Sequence, residues 1–239
     1  VKTQLGQVDF FRNVSDETLE GLWAAGSEKT YKKADVLFRA REPVERVFVQ
    51  MTGKSIIYNL TQTGKRKILF IFGAGMLLNE HIQTLHNAST YCEVIEESQI
   101  FVVPSDVFLR YMESDFLLTK AVLMAHEKKI WRLGHQLKNT MGSIYVERKL
   151  AAKLWKLARD FGIQTPEGIQ IDINMSVTFL ADMLGTPRET ASKACSTLVG
   201  AGLIQMEKKR ITVTNPQKMA LFYKTGEIMQ TDEGVSCDK

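Results

Sequence analysis

The chain has 239 residues, 44% of them hydrophobic and 24% charged, with 31 Lys/Arg against 27 Asp/Glu. That length allows one large domain or two smaller ones with real cores, and the composition excludes a disordered or fibrous chain. No apolar run approaches the roughly 18 residues of a membrane span, the first residues are polar, and three scattered cysteines (Cys92, Cys195, Cys237) make neither a disulfide framework nor a CxxC metal cluster; the expectation is a cytoplasmic protein with no membrane partner.

In chain order, Ser15 is placed to cap a short helix running to Ala25, with Leu19 and Leu22 on one face. Up to about Phe116 the chain then reads as mostly strand. Val36–Phe38, Val47–Met51, Ser55–Leu60, Ile68–Phe72 and Ile100–Val103 are short runs of Val, Ile and Phe, punctuated by Gly53, Gly64, Gly73 and Gly75. Short strands spaced by glycine turns predict a sandwich or barrel.

From about Leu117 to Ile144 the period becomes helical. Leu123, Ile130, Leu137 and Ile144 recur every seven residues, with His126, Leu133 and Thr140 three residues after the first three. A stripe this narrow suits a two-helix contact better than a core face, so the spacing predicts a homodimer held through Leu123, Ile130, Leu133, Leu137 and Ile144, the alternative being one long helix lying on its own sheet.

The third segment holds the excess positive charge, with 12 Lys/Arg against 7 Asp/Glu between Tyr145 and Lys224. Leu150, Leu154, Leu157 and Phe161 predict an amphipathic helix stopped by Gly162 in a left-handed cap. A loop with Pro166 and Gly168 follows, then a strand on Ile169, Ile171 and Ile173. Two short helices are predicted at about Ser176–Leu184 and Pro187–Ala201, and a strand at Arg210–Thr214. The first helix would bury Leu180, Ala181 and Leu184 and end on Gly185, which can turn left-handed. Thr186 as N-cap, Pro187 at the first helical position and Glu189 two residues later predict a capping box. Leu198 and Val199 would anchor the second helix and Gly202 would end it. This is helix-turn-helix grammar.

The exposed start of that second helix carries Arg188, Glu189, Ser192 and Lys193, types suited to base edges in the major groove. Lys208, Lys209 and Arg210 form a basic tip before the last strand, placed where a wing would touch phosphates, and Thr186 at the helix start is grouped with Lys208, Lys209 and the recognition-helix residues as DNA-binding. No Ser/His/Asp set, P-loop, HExxH or Rossmann glycine pattern occurs, and the four histidines (81, 86, 126, 135) are scattered, so an enzyme is not expected. A ligand-binding module without DNA binding would leave the helix-turn-helix unexplained.

On these residues the chain resembles the cyclic-AMP receptor protein/fumarate-nitrate regulator superfamily of bacterial transcription regulators. Arg188-Glu189-Thr190-Ala191-Ser192-Lys193 is similar to the family's recognition-helix pattern, with Lys193 where Arg is usual. Tyr91 to Glu96 resembles the closing strand of its β-roll. Thr165 to Ile169 resembles the loop that touches RNA polymerase in the family's activators. The resemblance implies an α+β fold: a cyclic-nucleotide-binding-like jelly roll (1–116) that senses an effector, a dimerisation helix (117–144), a winged helix-turn-helix (145–226) on duplex DNA with an inverted-repeat operator, and a polar tail (227–239).

Which effector the roll takes is less defined. Gly75 to Glu80 resembles the start of the family's phosphate cassette, with Asn79 replacing Gly, but Ile82 and Gln83 stand where its Arg-Ser pair would be, and no Arg occurs between Arg66 and Arg110. An anionic phosphate needs a cation, so cyclic AMP is not the expected ligand. The expected effector is a small organic acid or aromatic molecule near Phe70, Phe72, Gly75, Met76, Leu77, Asn79, Glu80, His81, His126 and Ile130. His81 is similarly placed to the haem-ligating His of carbon-monoxide-sensing members, which makes a haem-based gas sensor the alternative. The N-terminal Pro ligand of that subgroup and the cysteine cluster of iron–sulfur members have no counterpart. No other metal is expected.

Overall fold

Ser15 begins the first helix as its side chain predicts: its hydroxyl accepts from the Thr18 N–H at 3.3 Å, and α1 runs Asp16–Ala25 with Leu19 and Leu22 buried. This is a computed structural model describing residues 4–82, 87–138 and 145–227. The chain divides into two units, Val1–Lys138 and Asn139–Lys239.

In the first unit, strands β1 (Ser27–Tyr31), β2 (Val36–Phe38), β3 (Arg46–Gln50), β4 (Ser55–Leu60), β5 (Arg66–Phe72), β6 (Met76–Leu77), β7 (Tyr91–Val94) and β8 (Ser98–Pro104) form two antiparallel four-stranded sheets, ordered β1-β8-β3-β6 and β2-β7-β4-β5. Between them lies an apolar interior of Phe48, Ile57, Phe72, Cys92, Ile100 and Val102. A second core, including Phe11, Leu22, Val47, Phe101, Phe108 and Leu118, seats the helices on the first sheet.

The strands read from Val/Ile/Phe runs are all present. Three others carry no such run, of which β7 is expected only from the resemblance of Tyr91 to Glu96 to the closing strand. β1 is the polar sequence Ser-Glu-Lys-Thr-Tyr and is a strand because all five residues pair with β8 in register Ser27↔Val102 to Tyr31↔Ser98; tertiary pairing outweighs propensity there. β6 is a two-residue edge on β3. The expectation of strand up to Phe116 also fails at α2 (Ser105–Ser114), where Phe108 is fully buried and Arg110 pairs with Asp106 one turn back at 3.5 Å. The long helix is present as α3, Phe116–Lys138; Thr140 and Ile144 of the expected seam lie outside the described residues.

The second unit packs α4 (Val146–Phe161), α5 (Val177–Leu184), α6 (Arg188–Gly200) and α7 (Pro216–Thr225) with a sheet of β9 (Gly162–Thr165), β10 (Gly168–Ile171), β11 (Ile204–Glu207) and β12 (Arg210–Val213), ordered β11-β12-β10-β9. Leu150, Ala151 and Leu154 of α4 are fully buried.

Four readings are corrected. Gly162 is not a left-handed cap but extended (φ −86°, ψ 141°) and opens β9, in the stretch read as loop. Its glycine serves close approach instead, since a Cβ would stand 2.0 Å from the Ala158 carbonyl oxygen and 2.3 Å from Ile169 Cγ2. Met183, not Leu184, joins Leu180 and Ala181 in the core. Val199 is 45% exposed, and Ala191, Ala194, Cys195 and Leu198 anchor α6. β11 and α7 were not legible as elements; α7 is capped by Asn215, which accepts from the Lys218 N–H at 2.9 Å.

Candidate nucleic-acid interface and effector pocket

The turn between α5 and α6 is set by three local interactions. Ser176 caps α5 by accepting from the Phe179 N–H at 3.1 Å. Gly185 takes φ 73°, ψ 39°, and its N–H closes α5 on the Ala181 carbonyl at 2.7 Å. The Thr186 N–H then reaches the same carbonyl at 3.2 Å. The capping box does not form. Pro187 is extended and is itself the N-cap, the first helical bond running from Ala191 N–H to Pro187 O at 3.1 Å. Glu189 therefore sits at the second helical position, too early to reach back to the cap, and the Thr186 hydroxyl is buried without a partner.

The consequence for α6 is geometric. Its buried stripe is Ala191, Ala194, Cys195 and Leu198. Arg188 and Ser192 stand one turn apart, as do Glu189 and Lys193, away from that stripe. Arg188, Glu189 and Lys193 are exposed and Ser192 is half-buried. Glu189 and Lys193 form no ion pair among the described residues, so both charges face outward.

The basic tip is a two-residue turn. Glu207 pairs with Arg210 across β11 and β12, leaving exposed Lys208 and Lys209 at the bend, Lys208 at φ 56°. The Met175 N–H donates to the Lys209 carbonyl at 2.7 Å, and Arg210 donates to the Gln170 amide oxygen at 3.3 Å. Arg210 thus braces the hairpin while the two lysines project.

On α3 the predicted seam is outward-facing in the single chain: Leu123, Ile130, Leu133 and Leu137 are 53%, 68%, 44% and 65% exposed. His126 is half-buried, and burial, Lys129 and His81 in that order push its pKa below the usual imidazole value.

The predicted effector residues divide between two cavities. Phe72, Gly75, Met76 and Leu77 line one of about 700 Å³ against α3. Asn79, Glu80 and His81 line another of about 300 Å³ with Tyr31, Glu42 and Arg46. Phe70 stacks on Phe72 but lines neither, and His126 and exposed Ile130 also stand outside both. The polar atoms of Asn79 and Glu80 are engaged within the fold. Asn79 accepts from the Phe48 N–H at 2.7 Å and donates to the Arg46 carbonyl at 2.8 Å. The Glu80 carboxylate takes the Ser89 N–H, the Ser89 hydroxyl at 2.9 Å and the Thr90 N–H at 2.8 Å. Ile82 is buried in the apolar core, and Gln83 and His86 lie outside the described residues. Among the described residues no three His, Cys, Asp or Glu side chains gather to hold a metal, and no helix is long and apolar enough to cross a membrane.

Sequence reasoning missed Lys129. Its ammonium enters the mouth of the roll, 2.5 Å from the Asn79 carbonyl and 5.3 Å from the Phe72 ring centroid. Burial pushes its pKa down to about 8 despite the opposing field of Glu80. Its place one residue before a seam position was the only signal.

Comparison with known proteins agrees with this arrangement. Residues 28–115 match the cyclic nucleotide-binding domain family, and residues 148–222 match the Crp-like helix-turn-helix domain family. The chain is 25% identical over 193 residues to the global nitrogen regulator of Synechococcus elongatus, covering 78% of this chain and 85% of that one. It is 20% identical over 217 residues to the CRP-like cAMP-activated global transcriptional regulator of Mycobacterium tuberculosis, covering 90% and 96%. Among solved structures, FixK2 from Bradyrhizobium japonicum shares the fold at a TM-score of 0.70 and 20% identity, over 82% of this chain and 96% of that one. The proteins it resembles are regulators rather than enzymes. With both domain families matched in the same order along more than half of its length, the chain belongs to the CRP/FNR superfamily of bacterial transcription regulators.

Proposed function

We propose that the protein is a cytoplasmic homodimer that binds an inverted-repeat operator in duplex DNA, under the control of a small effector held in the β-roll. The observation that carries this is the outward row of Arg188, Glu189 and Lys193 on α6, opposite its buried stripe. In this reading Arg188 pairs with guanine, Glu189 accepts from cytosine N4, and Ser192 and Lys193 extend the contact. Lys208 and Lys209 hold phosphates, whereas Thr186, with its hydroxyl buried and its N–H on the Ala181 carbonyl, sets the turn and not a DNA contact. Residues 1–116 sense, 117–144 pair two chains through the exposed seam, and 145–226 read DNA; the 165–169 loop is the contact for RNA polymerase.

Control is a shift between two arrangements of the paired long helices, one of which spaces the recognition helices to half-sites about one DNA turn apart, roughly 34 Å. The engaged polar atoms of Asn79 and Glu80 and the burial of Ile82 support an effector other than cyclic AMP. The test is selection of binding sites from random duplex DNA by the purified protein. An inverted repeat with a short G/C-bearing core in each half supports the reading; recovery of no preferred sequence overturns it.

A further inference from the structure

The ammonium of Lys129 can donate three hydrogen bonds, and one is met, by the Asn79 carbonyl. Glu80 is the carboxylate that faces it, and the oxygens of Glu80 are already bound by Ser89 and Thr90. A cation kept largely out of water is stabilised by an anionic partner, and among the described residues no carboxylate is in contact with Lys129.

The 700 Å³ cavity beside it explains what is missing. Lys120, Lys128 and Arg132 of α3 line it together with Lys129, and the one carboxylate in its lining, Asp9, is bonded to Arg12. The opposite wall is apolar, formed by Phe10, Phe72, Met76 and Leu77, and α3 adds Leu117 and Met124. Positive charge on one side and hydrocarbon on the other complement a molecule with an acidic head and an apolar body. An inorganic oxyanion would leave the apolar wall uncovered. A nucleotide would set the polar edges of its base and ribose against the same hydrocarbon wall.

We propose that this cavity binds an amphiphilic organic carboxylate, its head on Lys129 and its body along Phe72, Met76, Leu77 and Met124. This deepens the reading of the roll as the sensing domain and rests on it.

The test titrates the full-length protein with decanoate, with decanol and with inorganic phosphate, by calorimetry and thermal melting. Decanoate is expected to bind at least tenfold more tightly than decanol. Lys129→Met should abolish that difference, Lys129→Arg should keep most of it, and Met124→Glu, on an exposed site that does not threaten folding, should weaken decanoate about tenfold. Equal binding of decanoate and decanol, unchanged binding by Lys129→Met, or no decanoate binding overturns the proposal. So does full competition by phosphate alone, which would mean a simple oxyanion site. Decanoate uptake that dissociates a dimer would mean that a second copy covers the groove, and it too overturns the proposal. Gel-shift on the selected operator runs in parallel: DNA binding without decanoate binding removes this inference alone, and decanoate binding without DNA binding removes only the DNA reading.

Discussion

The Asp115 carboxylate accepts two hydrogen bonds from Ser15, from its backbone N–H at 3.1 Å and its hydroxyl at 2.6 Å, across 100 residues of sequence. Its other oxygen accepts from the Leu117 N–H at 2.8 Å, so one side chain joins the start of α1 to the start of α3. Those bonds, from the Ser15 and Thr18 side chains and the Ser15 and Leu117 backbone, outweigh burial and hold the Asp115 pKa at about 2.

Asp115→Ala should therefore cost about 1–2 kcal/mol, as loss of a helix cap does. The sign with pH follows from a depressed carboxylate. Its contribution is complete above the unfolded value of 3.8 and is lost as pH falls toward 2. Urea unfolding of wild type should weaken across that window, and the variant should show a shallower dependence there.

The exposed seam of α3 gives the second expectation. Burying one Leu or Ile is worth about 1.5–3 kcal/mol, so Ile130→Asp with Leu137→Asp should convert a dimer into monomers. Sedimentation velocity that finds the double variant still dimeric rules the seam out as the contact.

Base reading separates from phosphate contact at named positions. Arg188→Ala should cost about 1–3 kcal/mol on the selected operator and relax preference at one base pair. Lys209→Ala should weaken all sequences alike and shallow the salt slope by about one unit. Because Glu189 does not cap α6, Glu189→Ala should leave stability within about 0.5 kcal/mol of wild type while discrimination at its base pair falls. Uniform losses from Arg188→Ala and Lys209→Ala alike would show that α6 is not the reader.

Lys129 should cost the ligand-free protein stability. A Lys whose folded pKa drops from 10.5 to about 8 binds fewer protons folded than unfolded between those values. Its penalty is full below pH 8 and is relieved as pH rises toward 10.5, with Glu80, Cys92 and His126 as the titratable neighbours. Lys129→Met should raise stability at pH 7 by about 2 kcal/mol, measured by denaturant unfolding. A destabilised variant would mean that the Asn79 bond and the packing of the lysine stem outweigh the buried charge.

Periodicity made the apolar strands and the long helix legible, because each is decided by its own residues. β1 was not, since Ser27–Tyr31 owes its conformation to β8, and β11 was hidden behind the same dependence on β12. The helix-turn-helix could be read down to the Gly185 turn, yet the capping box failed because Pro187 keeps an extended ψ and shifts the helix start by one residue. The effector cavity was legible in part. Phe72, Met76 and Leu77 sit in a strand–turn–strand run visible in the sequence, whereas Lys129 reaches them from 50 residues beyond Asn79, a proximity that only folding creates.

The bend at the tip of β11 and β12 sets two demands against each other. Lys208 is held at φ 56°, a conformation that glycine adopts freely and a side chain adopts at a cost of roughly 1 kcal/mol. Glycine at this position would relax the hairpin and remove one of its two projecting cations. A library randomised at residue 208 and screened for resistance to heat should drift toward glycine, while the same library screened for operator retention should return lysine or arginine. Divergent winners from one codon would measure how far the shape of this turn and its charge are under separate selection.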